Sequence, residues 1–290
     1  MARDGVKAMV LSLEGLSVGD AFGERFFQPP AVLDRALADR SVPGTAPWRW
    51  TDDTAMALSI VEELKERETI DQASLAQRFA RRHLADPQRG YGGGSHEVLS
   101  AISEGIPWQK ASKRLYEGQG SKGNGAAMRA APLGAFFTLE PLSTVVEQAH
   151  RQAAVTHAHL DAQAGAVAVA VAAWCCSRAH KPAAIWKDVL SRTPHGPTRD
   201  GLERASRLGF DLPISEAVKA LGSGAKVLSE DTVPFALWCA IRHLGDYTEA
   251  MWATVSGLGD RDTTCAIAGG LVALRARVPP EWKKAREPLP

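Results

Sequence analysis

The apolar residues of this chain recur mainly at three- and four-residue intervals, and no sustained alternation of β-branched and polar residues is present. This pattern predicts an all-α fold. The predicted helices cover residues 6–21, 53–67, 72–85, 96–104, 107–117, 126–137, 142–153, 157–178, 183–191, 201–208, 214–221, 232–244, 247–257 and 263–277. With 290 residues and 45% hydrophobic content, the chain is long enough to bury one substantial core.

Three stretches between these helices are predicted to be irregular because Gly, Pro or polar residues cluster in them. They are residues 28–49, 89–95 and 193–200. Loops of such length often carry function. Residues 278–290 combine prolines and lysines, so we predict one all-α domain over residues 1–277 and a flexible C-terminal tail over 278–290.

Composition narrows the possible partners and the compartment. The 34 basic and 33 acidic residues nearly balance, so we expect neither a nucleic-acid nor a membrane partner. The four cysteines show no C-x-x-C spacing, and the first residues lack a signal-peptide pattern, so we expect packed thiols and a cytoplasmic location. The apolar run 162–176 is short and rich in alanine, which favours a buried central helix over a membrane span.

Two acidic segments far apart in the chain carry the strongest chemical signal. Residues 50–54 read WTDDT and residues 259–263 read GDRDT, each just ahead of an apolar helical run. Taken alone, WTDDT has a structural explanation, because Thr51 would cap a helix whose first turn favours acids. Four carboxylates brought together would repel one another unless cations neutralised them, and their hard oxygens suit Mg²⁺, Mn²⁺ or Ca²⁺. The pair of segments therefore predicts a split metal site.

Glycine-rich segments form the second group of signals. The sequence GDAFGE at residues 19–24 is a helix end that also directs an acid, Asp20, toward the same neighbourhood. Residues 118–125 match G-x-G-x-x-G, but no strand precedes them, so a dinucleotide-binding fold is a poor interpretation. Successive glycine amides ahead of a helix instead predict an anion-binding nest for a phosphate or diphosphate.

Two further motifs remain open on the residues alone. The triple glycine at residues 92–94 can bring backbone close to a ligand, but it can equally be a flexible connector. His157 and His159 are two positions apart, so their side chains would diverge on a helix and a zinc pair is doubtful. Contact of one of them with a ligand is the alternative.

Five motifs in order support a family resemblance. They are GDAFG at 19–23, WTDDT at 50–54, GNGAAMRAAPLG at 123–134, THAH at 156–159 and GDRDT at 259–263. From about residue 6 to 275 the chain resembles the ADP-ribosylglycohydrolase family, the DraG-like hydrolases. The resemblance implies a single-domain orthogonal bundle of helices with two Mg²⁺ or Mn²⁺ ions in a cleft. It also implies cleavage of the bond between C1″ of ADP-ribose and a protein side chain.

The resemblance assigns roles residue by residue. The implied metal ligands are Thr51, Asp52, Asp53, Asp260, Asp262 and Thr263, with Asp262 bridging the two ions. The implied substrate-binding residues are Gly92, Gly93, Gly123, Asn124, Gly125, Met128 and His157. Among these, the loop around Asn124 would hold the diphosphate, His157 would border the ribose or its phosphates, and residues 89–94 would close over the distal ribose.

One position departs from the family pattern. Many relatives place a glutamate where this chain has Phe27, and the nearest acid here is Glu24. We therefore predict Glu24, Asp53 and Asp262 as the catalytic residues. In this hypothesis the cations clamp the ribose 2″ and 3″ hydroxyls and orient a water, and a carboxylate accepts the proton of that water.

The expected partner is an ADP-ribosylated protein, with arginine as the favoured modified residue and a monomer as the favoured state. Three alternatives on the same scaffold are ADP-ribosyl-serine, a free ADP-ribose derivative and a modified nucleic-acid base. A different class of function is an immunity or regulatory protein that binds an ADP-ribosyltransferase without turnover. The intact aspartates argue for the enzyme, whereas Phe27 keeps the silent binder open.

Overall fold

The structure, a computed structural model, describes the backbone of residues 2–290 and the side chains from residue 4 onward. It confirms the all-α fold, since these residues contain helices and two isolated β-bridges but no strand. The helices are α1 (Ala2–Glu24), α2 (Pro30–Ala38), α3 (Asp52–Arg67), α4 (Gln72–Ala85), α5 (Gly93–Ser103), α6 (Trp108–Lys113), α7 (Ala131–Phe136), α8 (Leu142–Ala154), α9 (Leu160–Ser177), α10 (Pro182–Arg192), α11 (Pro197–Arg207), α12 (Ile214–Leu221), α13 (Ser229–Arg242), α14 (Tyr247–Val255), α15 (Arg261–Val272) and α16 (Pro280–Ala285).

Helices α1 and α15 pack with their backbones in direct contact. Gly15, Gly19 and Gly23 recur every four residues and so lie on one face of α1. A Cβ atom on Gly19 would lie 2.2 Å from the carbonyl oxygen of Cys265, and one on Gly23 would lie 2.2 Å from that of Arg261. Only glycine permits this approach, which joins the first and the last long helices of the chain.

Helix α9 forms the centre of the molecule. Its alanines, valines and single Gly165 are buried on nearly all sides, between α7, α8, α10 and α13. Although α9 is apolar and long enough to cross a membrane, 83% of it is buried inside the protein. The prediction of a buried central helix is therefore confirmed, and the small side chains explain how four neighbours approach it closely.

The stretch from 28 to 49, predicted to be irregular, contains helix α2. Pro30 occupies the first turn, where its fixed φ and missing N–H are favourable, so the proline pair starts a helix here. Leu33 and Ala36 then anchor one face in the core. A second difference lies at 124–137, where a 3₁₀ turn (Asn124–Ala126) precedes the short α7, whose first turn accommodates Pro132.

Residues 278–290 pack against the body of the protein, in contrast to the predicted flexible tail. In α16 the ring of Trp282 stacks on Phe22, with 4.6 Å between ring centroids. Beyond α16, Glu287 accepts hydrogen bonds of 2.6 and 2.9 Å from the guanidinium of Arg89. The prediction of a flexible tail was based on its prolines and lysines. The stacking of Trp282 and the ion pair of Glu287 instead fix these residues to the body of the protein.

The glycine face of α1 can be tested with Gly19→Ala. The added methyl group has no space against the backbone of α15, so we expect a loss of about 1–3 kcal/mol in the free energy of unfolding, even though alanine favours a helix. Urea unfolding followed by circular dichroism measures it. Gly245→Ala is the matched control, because nothing lies within 4 Å of its added Cβ, and we expect a change within about 0.5 kcal/mol. Equal stability of both variants would contradict the close contact.

Candidate active site

The two acidic segments meet at the N-termini of α3 and α15. Thr263 Oγ1 lies 3.4 Å from Asp53 Oδ2, although 210 positions separate them in the chain. Thr51 caps α3, and its Oγ1 lies 3.1 Å from the same Asp53 oxygen. Asp53 and Asp262 both occupy the first turn of their helices, where the macrodipole favours negative charge.

Asp20 of α1 holds the start of α3 in place. Its buried carboxylate accepts hydrogen bonds from the backbone N–H and the hydroxyl of Thr51, and from the same two groups of Thr54. Burial nevertheless dominates and raises the pKa of Asp20 to about 6. The sequence predicts that Asp20 lies near the acidic segments but gives it no role. Its four hydrogen-bond donors belong to residues at the start of α3, and no sequence motif around Asp20 indicates such distant partners.

Two buried carboxylate oxygens in this cluster lack a hydrogen-bond partner among the described residues. They are Oδ1 of Asp53 and Oδ1 of Asp262. Burial raises the pKa of Asp53 well above its usual value, and the neighbouring carboxyl of Asp262 raises it further. The pKa of Asp262 is also raised, by burial and then by Asp260. Partnerless buried carboxylates are costly, so the donor set fits divalent cations that would take the place of the missing partners.

Asp52 lies beside the loop that was expected to cover the ribose. Its backbone N–H donates to the carbonyl oxygen of Arg89 at 2.6 Å, so this loop is attached directly to the start of α3. Burial, and then the charge of Asp20, raises the pKa of Asp52 to about 8. Gly92 and Gly93 follow at the start of α5, where both are exposed and have open space around them. The structure therefore brings the triple glycine to the rim of the acidic cluster.

Asn124 contacts the cluster rather than an open anion site. Its side-chain amide donates to Asp260 Oδ2 at 2.7 Å and to Thr232 Oγ1 at 2.9 Å. Its backbone N–H donates to the carbonyl oxygen of Val227, and that of Gly123 donates to Ser121 Oγ. These two amides therefore do not form the anion nest predicted from the glycine spacing. Asn124 orients a carboxylate instead, and the sequence carried no signal for its partner Thr232.

His157 lies against the glycine loop. Its ring is so close to Gly125 that a Cβ there would lie 3.0 Å from Cε1, which explains the glycine at this position. Burial, and then the charge of Arg129, lowers the pKa of His157 to about 3, so the ring is neutral. Thr156 Oγ1 accepts from Arg129 and lies 2.8 Å from His157 Nδ1, so its hydroxyl can donate to Nδ1. That tautomer leaves Nε2–H as a donor facing the loop.

Met128 and His159 have different surroundings from His157. Met128 is buried beneath the loop, with its sulfur 4.0 Å from the position of a Cβ on Gly125. His159 caps α9, because its Nδ1 accepts from the backbone N–H of Asp161 at 3.0 Å. His157, to which the family resemblance assigned contact with the substrate, is thus the histidine that lies beside the glycine loop.

Glu24 ends α1 at the edge of the cluster. Burial, and then the charge of Asp20, raises the pKa of its carboxyl, and Asp260 contributes in the same direction. Phe27, which replaces the acid of many relatives, is 46% exposed and lies under the guanidinium of Arg261, 4.8 Å from the ring centroid. Glu24 is therefore the acid of this segment whose carboxyl feels the charges of the cluster, whereas Phe27 lies against a neighbouring arginine.

The sequence profile of the ADP-ribosylglycohydrolase family matches residues 6–288. The chain belongs to this family. Human ADP-ribosylhydrolase ARH3 is 27% identical over 322 residues, covering 95% of this chain and 88% of that protein. ADP-ribosylarginine hydrolase Tri1 of Pseudomonas putida is 28% identical over 288 residues, covering 93% of this chain and 72% of that protein.

A solved structure shows the same fold. The chain superimposes on an ADP-ribosylglycohydrolase-related protein complex with a TM-score of 0.69 and 24% identity, covering 98% of this chain and 94% of the other. Family membership and fold together support a glycohydrolase that removes ADP-ribosyl groups. Both the family and the all-α architecture inferred from the motifs are confirmed.

The raised pKa of Asp52 makes a prediction for the metal-free protein. An aspartate with a folded pKa of about 8 contributes stability below its unfolded pKa of about 3.9, and this contribution is lost as the pH rises toward 8. Asp52→Asn keeps the site neutral. We therefore expect the melting temperature of the variant to rise relative to wild type between about pH 5 and pH 9 in chelator.

The measurement is differential scanning fluorimetry of both proteins across this pH range. Asp34→Asn, on the exposed face of α2, is the matched control and should show no comparable trend. If wild type and Asp52→Asn kept a constant difference at every pH, the perturbed titration of Asp52 would be disproved.

Proposed function

We propose that this protein hydrolyses the bond between ADP-ribose and modified arginine side chains of proteins, using two divalent cations. The observation that carries the proposal is the pair of buried, partnerless oxygens, Asp53 Oδ1 and Asp262 Oδ1, in one cluster. A purely structural acidic cluster would satisfy such atoms with protein donors, as Asp20 is satisfied by Thr51 and Thr54.

The proposed ligands are oxygen donors from the two helix starts. They are Thr51, Asp52, Asp53, Asp260, Asp262 and Thr263, which suit Mg²⁺ or Mn²⁺. Bound cations would supply Lewis-acid stabilisation and orientation of the distal ribose and of a water. Asn124 and Thr232 would keep the carboxylate of Asp260 correctly oriented, as expected of residues behind metal ligands.

Glu24 is the proposed acceptor of the proton of the attacking water. Its carboxyl is only partly buried, and its raised pKa brings it closer to the range in which a general base works well. The new bond forms between the water oxygen and C1″, while the bond from C1″ to the guanidine nitrogen breaks and its electron pair stays on that nitrogen. The released guanidine then takes up the proton that Glu24 has accepted, which returns Glu24 to its carboxylate form. In this proposal the neutral His157, with Nε2–H toward the glycine loop, would donate a hydrogen bond to the substrate.

Two features support arginine as the linkage. Tri1, described as an ADP-ribosylarginine hydrolase, is 28% identical to this chain. In addition, the partly exposed Glu24 and Asp260 give the edge of the cluster a negative charge that suits a cationic guanidinium. Human ARH3, described only as an ADP-ribosylhydrolase, is 27% identical to this chain. Serine and the other ADP-ribosyl linkages therefore belong in the same test.

A metal-titrated hydrolysis assay tests the proposed function. Proteins modified on arginine or on serine are incubated with the purified protein, and released ADP-ribose is measured with Mg²⁺, Mn²⁺ or chelator. We expect cation-dependent release from the arginine substrate. Because the loss of an outer partner alone costs about 10–100-fold, Asp53→Asn and Asp262→Asn should each lower kcat/KM by more than about 100-fold.

Each contrary result has a distinct meaning. Release from serine alone would replace the arginine linkage, and full activity in chelator would remove the cations. Tight binding of an ADP-ribosyltransferase without any turnover would identify a regulatory binder. A monomeric state and a cytoplasmic location remain predictions.

The role of Glu24 is tested separately with Glu24→Gln. We expect kcat to fall by about 10²–10⁴-fold, because the amide cannot accept the proton, while Mn²⁺ affinity measured by calorimetry stays close to that of wild type. Glu104→Gln, at an exposed position after α5, is the matched control and should leave both values unchanged. A normal kcat in Glu24→Gln would exclude Glu24 as the base, and a loss of Mn²⁺ binding would make it a ligand instead.

A further inference from the structure

A second group of metal-binding side chains lies at the C-terminal end of α9. Cys175 Sγ, His180 Nδ1 and Asp188 Oδ2 face one another, and the ligand atoms of the three residues lie within 4.8 Å of one another. Cys175 is buried, whereas the side chains of His180 and Asp188 keep 29% and 25% of their surface exposed. The group is therefore closed on the protein side and open to solvent on the other.

The end of α9 creates this arrangement. Ala179 adopts a left-handed conformation with φ of 58°, and the backbone N–H of His180 donates to the carbonyl oxygen of Cys175 at 3.0 Å. A helix end of this type folds the chain back, which brings His180 over Cys175 five residues earlier. Asp188 comes from α10, which packs along α9. Two packed helices and a rigid turn thus position the three side chains.

Two of the three ligand separations match those around a tetrahedral ion. Zinc bonds of about 2.3 Å to sulfur and about 2.0–2.2 Å to nitrogen and oxygen place sulfur and oxygen about 3.6 Å apart, and nitrogen and oxygen about 3.4 Å apart. The observed separations are 3.6 Å for Cys175 Sγ to Asp188 Oδ2 and 3.4 Å for His180 Nδ1 to the same oxygen. A thiol can donate at the first distance, but Nδ1 of His180 is buried without a hydrogen-bond partner.

We propose that Cys175, His180 and Asp188 bind one Zn²⁺ ion, with water as the fourth ligand. A thiolate and an imidazole select zinc over magnesium, so this site differs chemically from the oxygen-rich cluster. On binding, the thiol of Cys175 releases its proton to solvent, and the thiolate and the carboxylate then balance the charge of the ion.

The two neighbouring arginine side chains do not occupy the proposed zinc site. Arg275 donates to the carbonyl oxygen of His180 at 3.0 Å, on the backbone side of the residue. Arg178 donates to the carbonyl oxygen of Thr138 and lies over the ring of Trp174. Neither guanidinium is hydrogen-bonded to Asp188 in the structure, so the carboxylate remains available to an ion.

The site is also remote from the proposed catalytic cluster. His157 and the glycine loop lie near the N-terminal end of α9, and the 18 residues of this helix place its two ends about 25 Å apart. Binding would join the end of α9 to α10 and stabilise the folded protein by mass action. The inference therefore stands independently of the proposed hydrolysis.

Cobalt substitution tests the site without an activity assay. The full chain is freed of metal with chelator, dialysed and titrated with Co²⁺, while absorption is recorded from the near ultraviolet to the visible. A thiolate ligand produces a sulfur-to-cobalt charge-transfer band, which the oxygen donors of the acidic cluster cannot produce. We expect Co²⁺ to generate this band, with an intensity at saturation that corresponds to one thiolate-bound ion per chain, and Zn²⁺ to displace it.

Single variants assign the ligands. Cys175→Ser and His180→Gln should lose the band, and Asp188→Asn should weaken Co²⁺ binding by more than about tenfold. Cys176→Ser is the matched control, because this adjacent thiol is also buried but is not part of the group, and it should keep the band. Absence of the band in wild type, its survival in Cys175→Ser or its loss in Cys176→Ser would each overturn the proposal. If Cys175→Ser does not fold, His180→Gln, at a partly exposed position, decides the question.

Discussion

The direct backbone contact between α1 and α15 is the constraint on which the rest of the structure depends. Gly15, Gly19 and Gly23 let the two helices approach until a single methyl group between them would collide with a carbonyl oxygen. This contact places Asp20, near the C-terminal end of α1, next to the first turn of α15, where Asp262 lies. Because α3 is hydrogen-bonded to Asp20, its acidic N-terminus is carried to the same point. Three elements that are far apart in the chain thus share one cluster.

The concentration of negative charge at this point is the second constraint. Repulsion between the carboxylates opposes the close packing that brings them together. Two helix N-termini and the donors on Asp20 offset part of the cost of burying several carboxylates. The remaining cost is visible in the raised pKa values of Asp52, Asp53 and Asp262, and in the oxygens that no protein group satisfies. The packing of the helices holds the carboxylates together, whereas the interactions among the carboxylates themselves are repulsive. Perturbed pKa values of this kind are typical of sites that bind a ligand. Divalent cations would convert the repulsion into coordination.

Residues around the cluster show how the same side-chain type can serve different purposes. Asn124 belongs to a glycine-rich loop, yet its amide orients Asp260, and the anion nest suggested by the spacing is not formed by the amides of Gly123 and Asn124. Cysteine shows the same effect. All four thiols are free and buried, as the lack of C-x-x-C spacing indicated. Among the residues that the structure describes, only Cys175 has an imidazole and a carboxylate beside it, because a left-handed residue turns the end of α9 back on itself.

Much of the fold and part of the site were readable from the sequence, because these features depend on local order. Helical periodicity determined the all-α class, and five ordered motifs determined the family and pointed to the acids at the starts of α3 and α15. The helix α2, the packed C-terminal residues, the partners of Asp20 and Asn124, and the Cys175 group were decided by tertiary structure alone. Most of them depend on side chains that are far apart in the chain and meet in the fold. In the other cases a few residues decide the structure although the composition of their segment predicts otherwise: Trp282 anchors the C-terminal residues, and the prolines start α2. Periodicity and spacing describe neighbours along the chain, and they carry no information on which distant surfaces pack together.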